Sequence, residues 1–172
     1  HMIYPQLNSG ALNNTRQQPK PNTEPHVAAR TAPQTTSHLS QDNAADIKHD
    51  LIALGAQSSA AKQEAENSRW EIKHAMEKKD LRALKTAIEK SNKRIQSLNQ
   101  NYDAVSLKSS EVAAAREKLI KNNNLQIEMG NIILSSSPDR QKFEELQKKR
   151  SNSQKMVEIE MEALWIKANT AS

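Results

Sequence analysis

Residues 81–105 read LRALKTAIEKSNKRIQSLNQNYDAV. Leu81, Leu84, Ile88, Ile95, Leu98, Tyr102 and Val105 recur there at helical spacing, and Ser91 fills the one polar place in the series. Intervals of three and four keep these side chains on one side of a 3.6-residue helix, while Lys, Arg, Glu, Asn and Gln occupy the rest of its surface. Such a seam packs against other helices. It predicts how the chain is built and carries no chemistry of its own.

The composition agrees. Of 172 residues, 35% are hydrophobic and 3% aromatic, both low for a globule with a deep core. Mean hydropathy is −0.85. Long amphipathic helices need only a stripe of apolar residues, so they suit this balance. Glycine occurs three times, too rarely for the turns of a β protein.

The net charge of +5 comes from 25 basic and 20 acidic residues, so the charges are mixed. A dedicated nucleic-acid binder concentrates its excess on one face. Cysteine is absent, which excludes disulfides, thiolate catalysis and cysteine-based zinc sites within this sequence. It does not choose between a cytoplasmic protein and a secreted one without disulfides. No apolar run of about 18 residues is present, as a spanning helix requires. The opening His1-Met2 has the look of a cloning remnant, which would hide any natural leader.

Five of the six prolines fall in residues 1–41: Pro5, Pro19, Pro21, Pro25 and Pro33. Asn, Gln, Thr and Ser fill the spaces between them, and large apolar residues are few. Ordering such a stretch costs about 1–2 kcal/mol per residue in backbone entropy alone, with little burial to offset it. The sequence therefore predicts a disordered arm over 1–41 and a helical domain over 42–172. The arm reads as a linker, a secretion signal or a chaperone-binding segment.

A first helix is expected from about Asp42 to Lys78, capped by Asp42 or Asn43. Ile47, Leu51, Leu54, Ala61, Ala65, Ile72, Ala75 and Met76 form its stripe. Gly55 and the serines after it predict a bend or break, because glycine costs about 1 kcal/mol in a helix interior. Asp80 is placed to cap the Leu81 helix, with a bend at Lys79-Asp80. Turns are expected near Asn99 to Ser110 and at Ser135 to Pro138. Between them, Ser109 or Ser110 opens a helix with Val112, Ala115, Leu119 and Ile120 inward. The apolar run Leu125 to Leu134 is read as its buried end; a strand there would have no partner. Ser137, Pro138 and Asp139 read as N-cap, first helical residue and first-turn acid of a last helix. That helix runs to about Lys167. Its stripe widens near the end through Met156, Ile159, Met161, Trp165 and Ile166, as burial against two neighbours or contact with a partner would require.

Phosphate-loop, dinucleotide, zinc-protease and nucleophile-elbow patterns are all absent. His26, His38, His49 and His74 are scattered, with no pair at the spacing of a helical metal site. Acids lie beside bases on helix surfaces, and none is marked as a general acid or base. The sequence thus predicts an all-α protein of three or four long helices, arranged as an elongated antiparallel bundle or coiled-coil hairpin.

No enzyme activity, metal, cofactor or small-molecule substrate is expected. The function read from the sequence is a non-catalytic protein–protein interaction or scaffold module. It would act through amphipathic helix faces on another protein or a second copy. One concrete form is a bacterial secreted effector or secretion-system protein, whose composition this chain shares. The alternative is a basic helical module on nucleic acid or an anionic membrane surface, with nucleic acid the weaker of the two because aromatics are few. The candidate partner-binding residues are Trp70 and His74, which share a helix face, and Trp165.

Overall fold

The computed structural model describes residues 38–170. Most of the predicted arm lies outside the described residues. Four helices follow: α1 Ala44–Glu77, α2 Leu81–Ala104, α3 Ser110–Leu134 and α4 Arg140–Thr170. α1 packs on α2, α2 on α3 and α3 on α4, and α4 closes back on α1. The result is an antiparallel four-helix bundle with short connections, as expected from the seams. No strand is present among the described residues, so Leu125 to Leu134 is helical as read.

Several local expectations are corrected. α1 runs unbroken through Gly55, because Leu51, Leu54, Ser58 and Ala61 are all buried around it. That burial outweighs the propensity cost of one glycine. Of the two expected α1 caps, Asn43 is the one in place: its Oδ1 accepts from the Asp46 N–H at 3.0 Å. α2 continues through Asn99-Gln100-Asn101 to Ala104, so its turn is confined to Val105–Ser109. Leu81 opens α2 but is 62% exposed, because the seam begins to be covered only a turn later. α4 starts two residues late. Asp139, not Ser137, accepts the capping bond, from the Lys142 N–H at 2.9 Å. An aspartate caps as well as a serine, and Asp139 is the candidate directly before the first helical turn.

The chain turn between α1 and α2 is tight. Lys79 adopts φ 56°, and Asp80 Oδ1 then caps α2 by accepting from Ala83 N–H at 3.0 Å. Burial is uneven along the bundle. One contiguous cluster includes Ile47, Leu51, Leu54, Leu98, Tyr102, Val112, Leu119, Ile120, Val157, Met161 and Leu164. It fills the end where α1 and α3 begin and α2 and α4 finish; this is the arm-side end. Toward the other end the buried cluster shrinks to Ala65 and Ile95, with Ile127 packed beside them. Asparagines take over there. Asn92 donates to Asn131 at 3.0 Å, and Asn99 exchanges bonds with Asn123 at 2.9 Å and Asn124 at 3.0 Å.

Candidate functional site

At the arm-side end two buried charges hold the α2–α3 connection. Asp50, fully buried, accepts from the backbone N–H groups of Lys108 and Ser109 and from the Ser109 hydroxyl, at 2.7–2.9 Å. Its carboxylate thus sits at the start of α3, where unpaired N–H groups and the helix dipole favour an anion. His49 Nδ1 lies 3.0 Å from the same carboxylate. Arg116, 2% exposed, does the opposite job at the end of α2: its Nη1 donates to the carbonyls of Tyr102 at 3.1 Å and Val105 at 2.7 Å. Asp50 stands on the inward stripe between Ile47 and Leu54. An acid in that register is the sequence signal for this clamp, and apolar periodicity alone does not reveal it, because one polar residue leaves the helical pattern of the stripe intact.

The chain that leads into α1 is held by the same connection. Ser40 N–H donates to the Lys108 carbonyl and Ser110 N–H donates to the Ser40 carbonyl, both at 2.8 Å. Asp42 N–H donates to Glu111 Oε2 at 2.8 Å, and Lys167 pairs with Asp42 and Glu111. These carboxylates raise the Lys167 pKa above its ordinary value, chiefly through the hydrogen bond to Asp42. The last residues assigned to the arm, Ser40 among them, are therefore bonded to the bundle rather than loose.

The three candidate residues divide between the two ends. Trp70 is 61% exposed and stacks on His74, with ring centroids 4.5 Å apart and planes 13° apart. The four-residue spacing that brought them to one face also brings the rings into contact. Trp165 lies at the arm-side end, partly buried against the main cluster. It is a different surface from the Trp70–His74 pair. Among the described residues, no group of His, Asp and Glu is arranged to hold a metal ion, and no helix is long and apolar enough to cross a membrane.

The widened stripe of α4 resolves into two faces. Val157, Met161, Leu164 and Ala168 are buried. Met156, Ile159 and Ile166 are 65%, 64% and 58% exposed, and Ala163 is exposed with them. At about 100° per residue the two sets point roughly 150° apart. Positions 156, 159, 163 and 166 again alternate three and four, over about 15 Å of helix. α4 therefore carries a second apolar stripe on its outward side, which the bundle leaves uncovered. Lys155 and Glu162 flank one edge of it, Glu160 and Lys167 the other.

The model of one protein family, described as uncharacterised lipoprotein PM1805, matches residues 48–169. The chain belongs to that family. The match covers nearly the whole of the four helices, including the Asp50 and Arg116 clamp and the outward stripe of α4. Comparison with the curated proteins and with the solved structures finds no match.

Proposed function

We propose that this protein is a non-catalytic interaction module. Its helical bundle presents the outward stripe of α4 to a protein partner, close to a membrane to which the lipoprotein character in the family's name would tie it. One observation carries the reading: Met156, Ile159, Ala163 and Ile166 repeat the spacing of a packing seam on a surface that no other described residue covers. Single exposed apolar side chains are ordinary on a protein surface, whereas a periodic row of them marks a contact face. The 172 residues contain no cysteine to take a lipid.

The charged faces favour this reading over binding to nucleic acid or anionic lipid. Lys90 and Arg94 face Glu71, Arg94 also faces Glu64, and Lys118 pairs with Glu160 at 2.8 Å. Bases already set against acids within the chain contribute little field for phosphate. The alternative requires affinity that falls steeply with salt.

A photo-crosslinking side chain placed at Ile159 in the cellular protein tests the proposal, with one at exposed Glu66 as the off-stripe reference. A discrete adduct from position 159 and none from position 66 is the expected result. Equal labelling from both positions, or none from either in a folded protein, removes the stripe as a docking face.

A further inference from the structure

We propose that the occupant of the α4 stripe is a second copy of this chain, aligned parallel to the first; the inference rests on the docking reading above. Charge at the edges of the stripe selects both the occupant and its direction. With Met156 and Ala163 at the first apolar place of each heptad, Ile159 and Ile166 take the second. Lys155 and Glu162 then precede the heptads, and Glu160 and Lys167 follow the second apolar place. In a parallel pair each preceding residue meets the partner's residue five places on. Lys155 of one copy faces Glu160 of the other, and Glu162 faces Lys167, whose ammonium already meets Asp42 and Glu111 in its own chain and keeps one of its three donors for the partner. Both contacts join opposite charges, twice over by symmetry.

An antiparallel pair does the reverse. Matching Met156 with Ile166 and Ile159 with Ala163 puts the two-fold axis at position 161. Glu160 then approaches Glu160 and Glu162 approaches Glu162. Like charges at that range disfavour the alignment. The Glu160 carboxylate is compatible with a second donor: Lys118 reaches its Oε1, which leaves its other oxygen to accept.

Parallel alignment also brings both arm-side ends to the same side. That arrangement suits two chains tethered to one membrane through those ends. Four apolar residues per copy make a small contact, of the weak and transient class below about 1,200 Å². Tethering would strengthen it by raising the effective concentration.

These 172 residues hold no cysteine, so an introduced one is the single thiol on the chain. Chains of these 172 residues carrying Ile166→Cys, Met156→Cys or the off-stripe Ile52→Cys are treated with a short bismaleimide at high protein concentration. Parallel pairing predicts that Ile166→Cys crosslinks to itself about tenfold or more faster than Ile52→Cys, because contact raises the local thiol concentration. Met156→Cys should do the same. A mixture of Met156→Cys and Ile166→Cys should crosslink no faster than either alone. Preferential crosslinking in the mixture would establish the antiparallel pair and overturn the proposal. Rates equal to the Ile52→Cys background in every case would overturn the second copy as occupant. A photo-adduct to a different protein from position 159 would then leave the docking reading standing, and its absence would remove both.

Discussion

The two ends of this bundle are held by different physics. At the arm-side end the interior is aliphatic, with Ile47, Leu51, Leu54, Leu98, Val112 and Met161 at 0% exposure, and the α2–α3 connection is gripped by Asp50 and Arg116. At the far end Ser68, Ser91, Asn92, Asn122 and Asn123 share the interior with Ala65, Ala75, Ala87, Ile88, Ile95 and Leu146, so small and polar side chains dilute the aliphatic ones. A buried leucine is worth about 1.5–3 kcal/mol in transfer from water, whereas a satisfied amide pair nets about 1 kcal/mol. Some far-half groups find no partner among the described residues: the Ser68 hydroxyl and the Asn122 side-chain oxygen have none. Arg150 is partly buried with its Nε unpaired, and desolvation lowers its pKa from the ordinary arginine value. The continuous helices thus conceal unequal cohesion along their length. Stability should be concentrated where the chain enters the bundle, with the far half free to open first.

The comparison is most exposed to failure at Asp50. Asp50→Ala strands two backbone N–H groups and the Ser109 hydroxyl, and should cost about 3 kcal/mol or more. Urea unfolding reads it directly. A loss under about 1 kcal/mol would mean that the aliphatic cluster alone secures the arm-side end. In the far half, the matching probe is Gly130. A Cβ there would fall 2.7 Å from Asn92 Oδ1 and 3.1 Å from Ile88 Cγ2. Gly130→Ala gains helix propensity worth about 1 kcal/mol but overpacks the α2–α3 contact by about 1–3 kcal/mol. A net loss of about 1 kcal/mol in thermal or urea unfolding is expected. A net gain would show that the asparagine layer yields easily, and would widen the contrast between the halves.

Tyr102 offers a smaller and more specific test. Its hydroxyl lies 2.5 Å from the Ser58 hydroxyl in a fully buried setting, and burial pushes its pKa well above the usual tyrosine range. The native state therefore keeps the proton while the unfolded chain releases it above about pH 10. The unfolded state then binds fewer protons than the native one, so stability falls as pH rises through that range. Tyr102→Phe should cost about 1 kcal/mol at neutral pH, and the gap from the parent should narrow above pH 10. Parallel stability curves for the two proteins would refute the assignment. The smallest effect is expected at the far-end surface. Trp70→Ala removes an exposed ring and should change stability by under about 0.5 kcal/mol in the same assay. A loss of 2 kcal/mol would mean that the Trp70–His74 stack supports the far half and is not a surface feature.

Much of the fold was legible because periodicity reports burial directly. The seam from Ile88 to Tyr102 is buried as read, and Asn43 and Asp80 cap as a short polar side chain before a helix should. Element ends were less legible where propensity and packing compete. Gly55 and the Asn99-Gln100-Asn101 run suggested interruptions, yet both lie inside helices whose burial continues past them. The candidate surface was legible only in part. Trp70 and His74 were paired by spacing alone, but the wide stripe of α4 hid two faces under one run of apolar letters.

The sequence alone determined that this chain forms long amphipathic helices, since the alternation of three and four admits one regular structure and the caps are local chemistry. It also excluded thiol chemistry within these 172 residues. Only the tertiary arrangement decided which apolar residues of α4 are core and which are surface. It also decided that Asp50 serves a connection 58 residues further on. Both outcomes depend on where neighbouring helices stand, and a one-dimensional pattern records a side chain's direction around its own axis without recording what waits there.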